Sequence, residues 1–493
     1  MRSRLHTSLG LILGLFSQTL LGQVSVSNIA EYQLGNLPEL SPKDLSSMYE
    51  QLNLQYRHKR LSLFAKTELF QPSIDEGKSY ARLSQFRAAY KSPSLDLEIG
   101  NSYPSLGRGL LLRNYSLPSA IYEDRGYRIR YAYDKDLLGL SAKYKSQYFD
   151  IKLLRGAVLT VNAPPTLAWE ERRPDLVEGG ELSGKYKGQS LGLIAMRHRN
   201  GEQSDHYSAA YYSGQIKAVN LYAELAKNMK DALYHFQDDA AYGAYVGMNF
   251  YYAFVGASLE WKKYQNFAIG NGVNDPPTLI KEQPVRLLNR STHIPHLNDE
   301  SGYQVELFFQ LKEGQLITVN HAMAKNRLGE NDYTFWEYYA DYSFSPNTKW
   351  HMQLYADYAQ DPLMNEKHRY TTGVQMDFYH GKTSSVWRFD VQQIHREIIE
   401  KYQFLNLYSA YTFSRAGQFS ASLMMEISAD PFEKIADEEW VFYPAMSCSY
   451  TIDKHNSLML FAGKRRGGPS CTSGVCYDVL DFQGLEMRLV TRF

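Results

Sequence analysis

The feature that most restricts how this chain can fold is a charge rule repeated along its alternating segments. Tyr303, Val305, Leu307, Phe309 and Leu311 alternate with Gln304, Glu306, Phe308, Gln310 and Lys312. Trp336, Tyr338, Ala340, Tyr342 and Phe344 alternate with Phe335, Glu337, Tyr339, Asp341 and Ser343. The same holds for Trp350 to Tyr358 against His351 to Ala359, and for Phe419 to Ile427 against Gln418 to Glu426. In all four segments every charged residue falls on one face. Side chains of a strand alternate between faces. A Lys or Arg facing lipid at the bilayer midplane costs about 2–4 kcal/mol, so a bilayer enforces this segregation. A soluble sandwich also separates its faces, but these strands run longer than the usual five or six residues.

The last segment obeys the same rule. Leu485, Met487, Leu489, Thr491 and Phe493 share one face, and Glu486, Arg488 and Arg492 the other. Strand-like segments recur from about residue 24 onward, and their connections alternate between short and long. Short ones include His58-Lys59-Arg60, Tyr186-Lys187-Gly188, Ser345-Pro346-Asn347, His380-Gly381-Lys382, Arg415-Ala416-Gly417 and Asp453-Lys454. Short periplasmic turns with long outer loops are the asymmetry of a transmembrane barrel. The fold class read from the chain is therefore all-β: an antiparallel up-and-down transmembrane β-barrel of 24 strands, within a range of 22 to 26. The count meets a conflict between Asp150 and Asp175, where a short strand near Leu159-Thr160-Val161 must be added or one dropped.

Composition agrees. The chain carries 39 Tyr, 23 Phe and 6 Trp, yet its mean hydropathy is −0.43. An aromatic-girdled exterior and a polar interior need both at once. Net charge is +0, which gives no electrostatic case for nucleic acid. Residues 1–22 read as a secretory signal, with Arg2 and Arg4 before an apolar stretch at 9–21. Residues 23–493 then form a single barrel with its loops.

Four outer segments are candidate functional elements. In the first, Gly107 and Gly109 flank Arg108, the apolar run 110–112 follows, and Arg113 and Arg125 lie beyond. It either folds into the lumen as a constriction or makes an ordinary hairpin. The second, 162–175, holds Trp169, Arg172 and Arg173 and is either a pore lining or a solvated loop. The third, 266–299, is long enough to be a lid, a lumen-folded gate or a docking surface. The fourth, 463–476, sets a basic cluster before Cys471 and Cys476, whose spacing fits a small disulfide-closed loop. That cluster is either a cationic rim or a contact for lipopolysaccharide or a protein partner. Inward carboxylates Glu306, Glu337, Asp341 and Asp357 would line a wet lumen. Cys448 is expected to face lipid or be buried, unpaired, and Pro444 in the same strand marks a bulge. No hydrolase motif stands out, so an enzyme is not expected, and nothing calls for a cofactor or a metal.

Gly107-Arg108-Gly109-Leu110, the segment from Gly463 to Gly468, the Cys471-x4-Cys476 loop and the terminal Phe493 together resemble an uncharacterised family of large outer-membrane barrels from Bacteroidota. The resemblance covers nearly the whole mature chain. It implies a barrel in the cell outer membrane, in contact with outer-membrane lipids and lipopolysaccharide. It further implies that Phe493 is part of the signal read by the barrel-assembly machinery. Two functions fit: a channel or transport-related pore with a partly loop-filled lumen, and a non-conducting subunit of an assembly or secretion complex. The second would place a protein partner at the extracellular loops or the periplasmic face. The resemblance identifies no substrate.

Overall fold

The computed structural model describes residues 22–493 apart from 39, 73–78, 125–127, 160–174, 231–233, 237–239, 271, 278–282, 294–298, 434–438 and 473–474. The side chains of 470–476 and 478 also fall outside the description. Arg125, Trp169, Arg172, Arg173 and the signal segment lie outside the described residues.

The alternating segments become strands. The first group is β1 (Gln23–Asn36), β2 (Ser46–His58), β3 (Leu61–Gln71), β4 (Tyr80–Lys91) and β5 (Leu95–Ser102). Four short strands follow: β6 (Ser105–Leu106), β7 (Leu112–Arg113), β8 (Tyr115–Glu123) and β9 (Arg130–Lys135). Next come β10 (Leu137–Lys145), β11 (Phe149–Val158), β12 (Leu176–Tyr186), β13 (Gln189–Asn200), β14 (Gln203–Ile216), β15 (Val219–Asn228), β16 (Tyr242–Tyr252) and β17 (Val255–Gln265). After a short helix, α1 (Arg286–Arg290), the chain continues as β18 (Glu300–Lys312), β19 (Gln315–Leu328), β20 (Asn331–Asn347), β21 (Trp350–Asp361), β22 (Glu366–His380) and β23 (Thr383–Glu397). It ends with β24 (Lys401–Arg415), β25 (Phe419–Ser428), β26 (Val441–Thr451), β27 (Asn456–Arg465), β28 (Gly468–Thr472), β29 (Val475–Val479) and β30 (Phe482–Arg492).

Twenty-four of these strands make one antiparallel sheet, from which only β6–β9, β28 and β29 are left out. β30 pairs back onto β1 from Ser27↔Arg492 to Asn36↔Gln483 and closes the ring. A closed ring leaves no sheet edge and satisfies the backbone from strand to strand, which hydrocarbon demands. The conflict near Leu159 resolves because β11 pairs directly with β12, so no wall strand lies between them.

An even strand count brings both ends of the barrel to one rim. All turns at that near rim are two to four residues long. The turn expected at Ser345-Pro346-Asn347 sits slightly later, because β20 carries a register shift between Phe344 and Asn347. The long connections 103–136, 266–299 and 466–481 all leave the far rim.

The faces segregate as the alternation requires. Leu191 and Leu193 are about two-thirds exposed on the outside, while Ile194 and Met196 are buried inside. At the closing seam Arg488 reaches Glu31 (2.5 Å) and Gln33 reaches Glu486 (2.9 Å) across the lumen face. Phe493 zips the seam shut, exchanging backbone hydrogen bonds with Val26 at 2.8 and 2.9 Å. Its ring faces outward and stacks on His455 at 5.2 Å. Cys448 is a free thiol on the outward-facing phase of β26, as expected.

Two glycine rows bend the wall. Gly100, Gly139 and Gly156 are in register on β5, β10 and β11, and Gly35, Gly484 and Gly463 on β1, β30 and β27. A Cβ on Gly139 would stand 2.1 Å from the Arg155 carbonyl oxygen. Neighbouring backbones approach so closely there that only glycine fits, and such rows let a sheet curve sharply.

Candidate functional site

Among the described residues, the largest hydrophobic cluster lies inside the lumen. The first far-rim insert, 103–136, does not form an ordinary outer hairpin. It turns inward, and Leu106, Leu110, Leu111 and Leu112 have no exposed surface. They pack against inward side chains of the wall, including Leu154, Val158, Val177, Ile194, Met196 and Tyr222. The Gly-Arg-Gly segment is thus packed inside the lumen. Lumens of large barrels are polar as a rule; this stretch of wall is apolar because it meets a folded plug rather than water. Each fully buried leucine contributes about 1.5–3 kcal/mol.

The Gly-Arg-Gly turn aims two consecutive backbone N–H groups at wall carboxylates. Gly107 donates to Glu181 Oε2 (3.1 Å) and Arg108 to Glu224 Oε2 (2.9 Å). Successive N–H groups in such a turn form an anion-binding nest. The Arg108 guanidinium lies 4.2 Å from the centre of the Tyr222 ring. Gly107 and Gly109 have φ of +53° and +99°, and a Cβ on Gly109 would sit 2.8 Å from the Asp275 carbonyl oxygen. Gly109→Ala should therefore loosen the plug by about 1–3 kcal/mol, the cost of forcing a side chain into that backbone region. Faster hydrogen exchange at 105–113, with barrel exchange unchanged, is the measurement that checks it.

The described part of the second insert, 266–299, is also folded into the lumen and fastens onto the first. Phe267, Ile269 and Val273 join the same apolar cluster. Buried Asn274 donates to the carbonyls of Leu110 (3.2 Å) and Phe267 (2.7 Å) and accepts from the Ile269 N–H (2.9 Å). Arg113 stands 3.6 Å from Asp275, and the Lys135 ammonium donates to the Asn274 carbonyl at 3.5 Å. Burial pushes Lys135 down to about 8, against the pull of Asp275. Burial likewise raises the Asp275 carboxyl, with Lys135 and Arg113 opposing.

The other side of the plug is held by charge. Helix α1 lays Val285 and Leu288 on Tyr339 and Tyr355. Its Arg286 and Arg290 reach Glu426 at 3.0 and 2.5 Å, and Arg466 joins them at 3.1 Å. Arg466 also pairs with Glu433 at 2.6 Å, and Arg465 with Glu486 at 3.4 Å. These two arginines of the basic cluster therefore turn to internal carboxylates rather than standing as a free cationic rim. Burial lowers Arg290 to about 10, with Glu426 opposing. Below the helix, Arg369 is fully buried among Glu337 (3.1 Å), Asp357 (3.5 Å) and Glu366 (3.5 Å). It also donates to the Ser291 carbonyl at 2.6 Å, tying the wall to the insert.

Of the residues singled out from sequence, Glu337 and Asp357 meet on Arg369. Arg108 and Arg113 lock the plug. Asp341 is buried on the same face of β20 as Glu337 but bonds Ser343 and Gln353 at 3.4 Å. Glu306 lines β18 and is no member of the Arg369 group. Cys471 and Cys476 are directly opposed in the β28–β29 hairpin. Sequence reasoning missed Arg369, Glu426, Glu181, Glu224 and Asn274. Arg286 and Arg290 did carry a signal, a pair of like charges one helical turn apart.

A family model spans residues 39–493, which takes in every strand except β1. The chain belongs to the family of unknown function DUF6029. No curated protein matches this DUF6029 chain in sequence. Among solved structures it is similar to the P pilus usher (PapC) translocation pore, at 10% identity and a TM-score of 0.50, over 95% of this chain and 99% of that one. It is also similar to the outer membrane protein OpdK of Pseudomonas aeruginosa, at 12% identity and a TM-score of 0.38, over 75% and 99% of the two chains. The siderophore receptor PirA of Pseudomonas aeruginosa gives 9% identity and a TM-score of 0.44 over 96% and 80%. At such identities the usher likeness is one of fold, that of a large outer-membrane barrel.

Proposed function

We propose that this protein is a transport-related pore of the outer membrane that is closed at rest by a plug made from its own far-rim inserts. The observation that carries the reading is the asymmetric seating of the plug. One side is sealed by an apolar cluster, the other by ion pairs that converge on Glu426 and Arg369. Unseating the apolar side would expose a greasy wall to water. The charged side can exchange its partners for water or solute at smaller cost, so the gate lies there. A barrel of this size would leave a wide channel if nothing filled it. The usher with the similar fold is itself described as a translocation pore. In this reading the near-rim turns face the periplasm and the inserts start from the outer side.

Planar-bilayer recording tests the proposal. The unmodified chain should be quiet or show small steps. Glu426→Ala, which strips Arg286, Arg290 and Arg466 of their shared partner, should open it several-fold more often. A large steady conductance in the unmodified chain, or no change in the variant, would sink the gate reading.

Exposed Ile398, Ile399 and Phe432 at the far rim favour the second reading, a docking subunit. Co-purification of a partner in mild detergent, lost on Ile399→Asp, would support it over the pore. Two further assignments are ours. Cys471 and Cys476 form a disulfide, so a thiol reagent should label Cys448 alone before reduction and all three cysteines after. Phe493 serves as an insertion signal: its deletion should lower membrane insertion in cells while costing the refolded barrel only about 1–2 kcal/mol from two lost hydrogen bonds. Normal insertion of the deletion variant would contradict that role.

A further inference from the structure

A row of charges crosses the outward face of four neighbouring strands. Arg155 on β11 lies in register with Glu178 on β12, Glu178 with Arg197 on β13, and Arg197 with His206 on β14. The two guanidiniums share one carboxylate, Arg155 reaching Glu178 at 3.0 Å and Arg197 at 2.7 Å. Arg199, the next outward residue of β13, forms no ion pair with a described residue. Glu178 is the single carboxylate of the row, so the three arginines leave surplus positive charge on the outer surface. Arg197 stands nine residues beyond the near-rim turn at Lys187-Gly188, roughly 23 Å up for a tilted strand. That is the upper border of an apolar band about 25 Å tall, where an outward cation costs little.

Below the row, the lipid-facing wall over β12–β16 carries an apolar groove of about 690 Å³. Ala210, Ala223 and Ala244 make it deep, and Leu191, Leu193 and Leu225 stand beside them. Register explains the relief: Ala210 lies between Leu193 and Leu225, and Leu225 between Ala210 and Ala244. Between the groove and the arginines the outward positions are Gly180, Ala195 and Ser208, in register with one another. Nothing bulky therefore separates the two. On the far side of the groove Ala244 pairs with Lys263, a further outward cation.

The wall supplies its own comparison. A groove of similar size, about 640 Å³, lies over β24–β27 and is lined by Leu423, Met425 and Met446. There the next outward row is Leu407, Ile427 and Phe442, which carries no charge. Apolar depth is common to both grooves, and only the first is capped by guanidiniums. A groove at hydrocarbon depth beneath such a cap is complementary to an amphiphile that joins an acyl chain to an anionic phosphate. The planar fork of arginine matches phosphate oxygens.

We infer that the groove over β12–β16 and the arginine row above it form one site for a membrane lipid with a net-anionic phosphate headgroup. The acyl chain lies in the groove, and the phosphate is held by Arg155 and Arg197. Both side chains are on the outer surface, so they can turn toward a headgroup without breaking a strand ladder. Each then makes charge-assisted hydrogen bonds to phosphate, which are stronger than neutral ones. The inference rests on the barrel lying in a bilayer, and not on conduction: a silent but inserted barrel leaves it standing.

The test is photo-crosslinking in vesicles of equal parts phosphatidylglycerol and phosphatidylcholine. The full chain carries a benzophenone residue in place of Leu182 at the edge of the capped groove, or of Leu423 in the uncapped one. Heat-modifiable gel mobility confirms that each variant is folded. Phosphatidylglycerol adducts should exceed phosphatidylcholine adducts roughly five-fold from position 182 and equal them from position 423. Arg155→Gln with Arg197→Gln should remove the preference, and Arg155→Lys with Arg197→Lys should keep part of it. Ala210→Phe, which fills the groove, should lower the adducts of both lipids from position 182. Excess inorganic phosphate should leave the preference in place, because the acyl chain helps to hold the lipid. Equal yields from position 182, the same preference from position 423, a preference that survives loss of both arginines, or one abolished by free phosphate would overturn the site.

Discussion

Replacing Leu110 and Leu111 together with asparagine should unseat the plug while leaving the barrel standing. Both side chains are fully buried in the lumen cluster. Truncating a buried leucine costs about 2–5 kcal/mol, and burying an unsatisfied amide in its place adds about 1–3 kcal/mol more. The barrel itself is held by a separate, closed 24-stranded ladder. Protease should therefore cut the first insert at least ten times faster in the variant, with gel mobility still that of a folded barrel. Unchanged protection would mean that the apolar cluster does not hold the plug.

Deleting residues 284–292 should have the largest effect on conduction. The deletion removes α1, both arginines that reach Glu426, and the Ser291 carbonyl that Arg369 grips. It leaves the apolar seal around Leu110, Leu111 and Leu112 in place. Single-channel conductance should rise by roughly an order of magnitude, given the width of a barrel of this size. A deletion variant that inserts, folds and stays silent would show that the apolar side alone closes the lumen, and the gate would then lie elsewhere.

Much of the architecture was legible from local pattern. Period-2 alternation with charges on one face is a property of each strand alone, so β18, β20, β21 and β25 could be phased without knowing their neighbours. The turn asymmetry followed from where polar, Gly-containing breaks fall. The plug was harder to read. On β13 the lumen-facing Ile194 and Met196 sit beside lipid-facing Leu193, and a strand apolar on both faces has no phase to read. The run from Leu110 to Leu112 has no period at all, so it fits a hairpin as well as a constriction. The Arg369 site is assembled from Glu337, Asp357 and Glu366 on three successive strands, and no spacing in the chain announces it.

The sequence by itself determined that the chain forms long amphipathic strands, which face of each tolerates lipid, and which rim carries the long connections. Each of these follows from interactions within a strand or a turn. Only the tertiary structure decided that the wall strands number 24, that the far-rim inserts fold back into the lumen, and that part of the inner wall is apolar in order to receive them. Those outcomes depend on which strands become neighbours when the ring closes, and register between distant segments is set by the whole sheet rather than by any stretch of it.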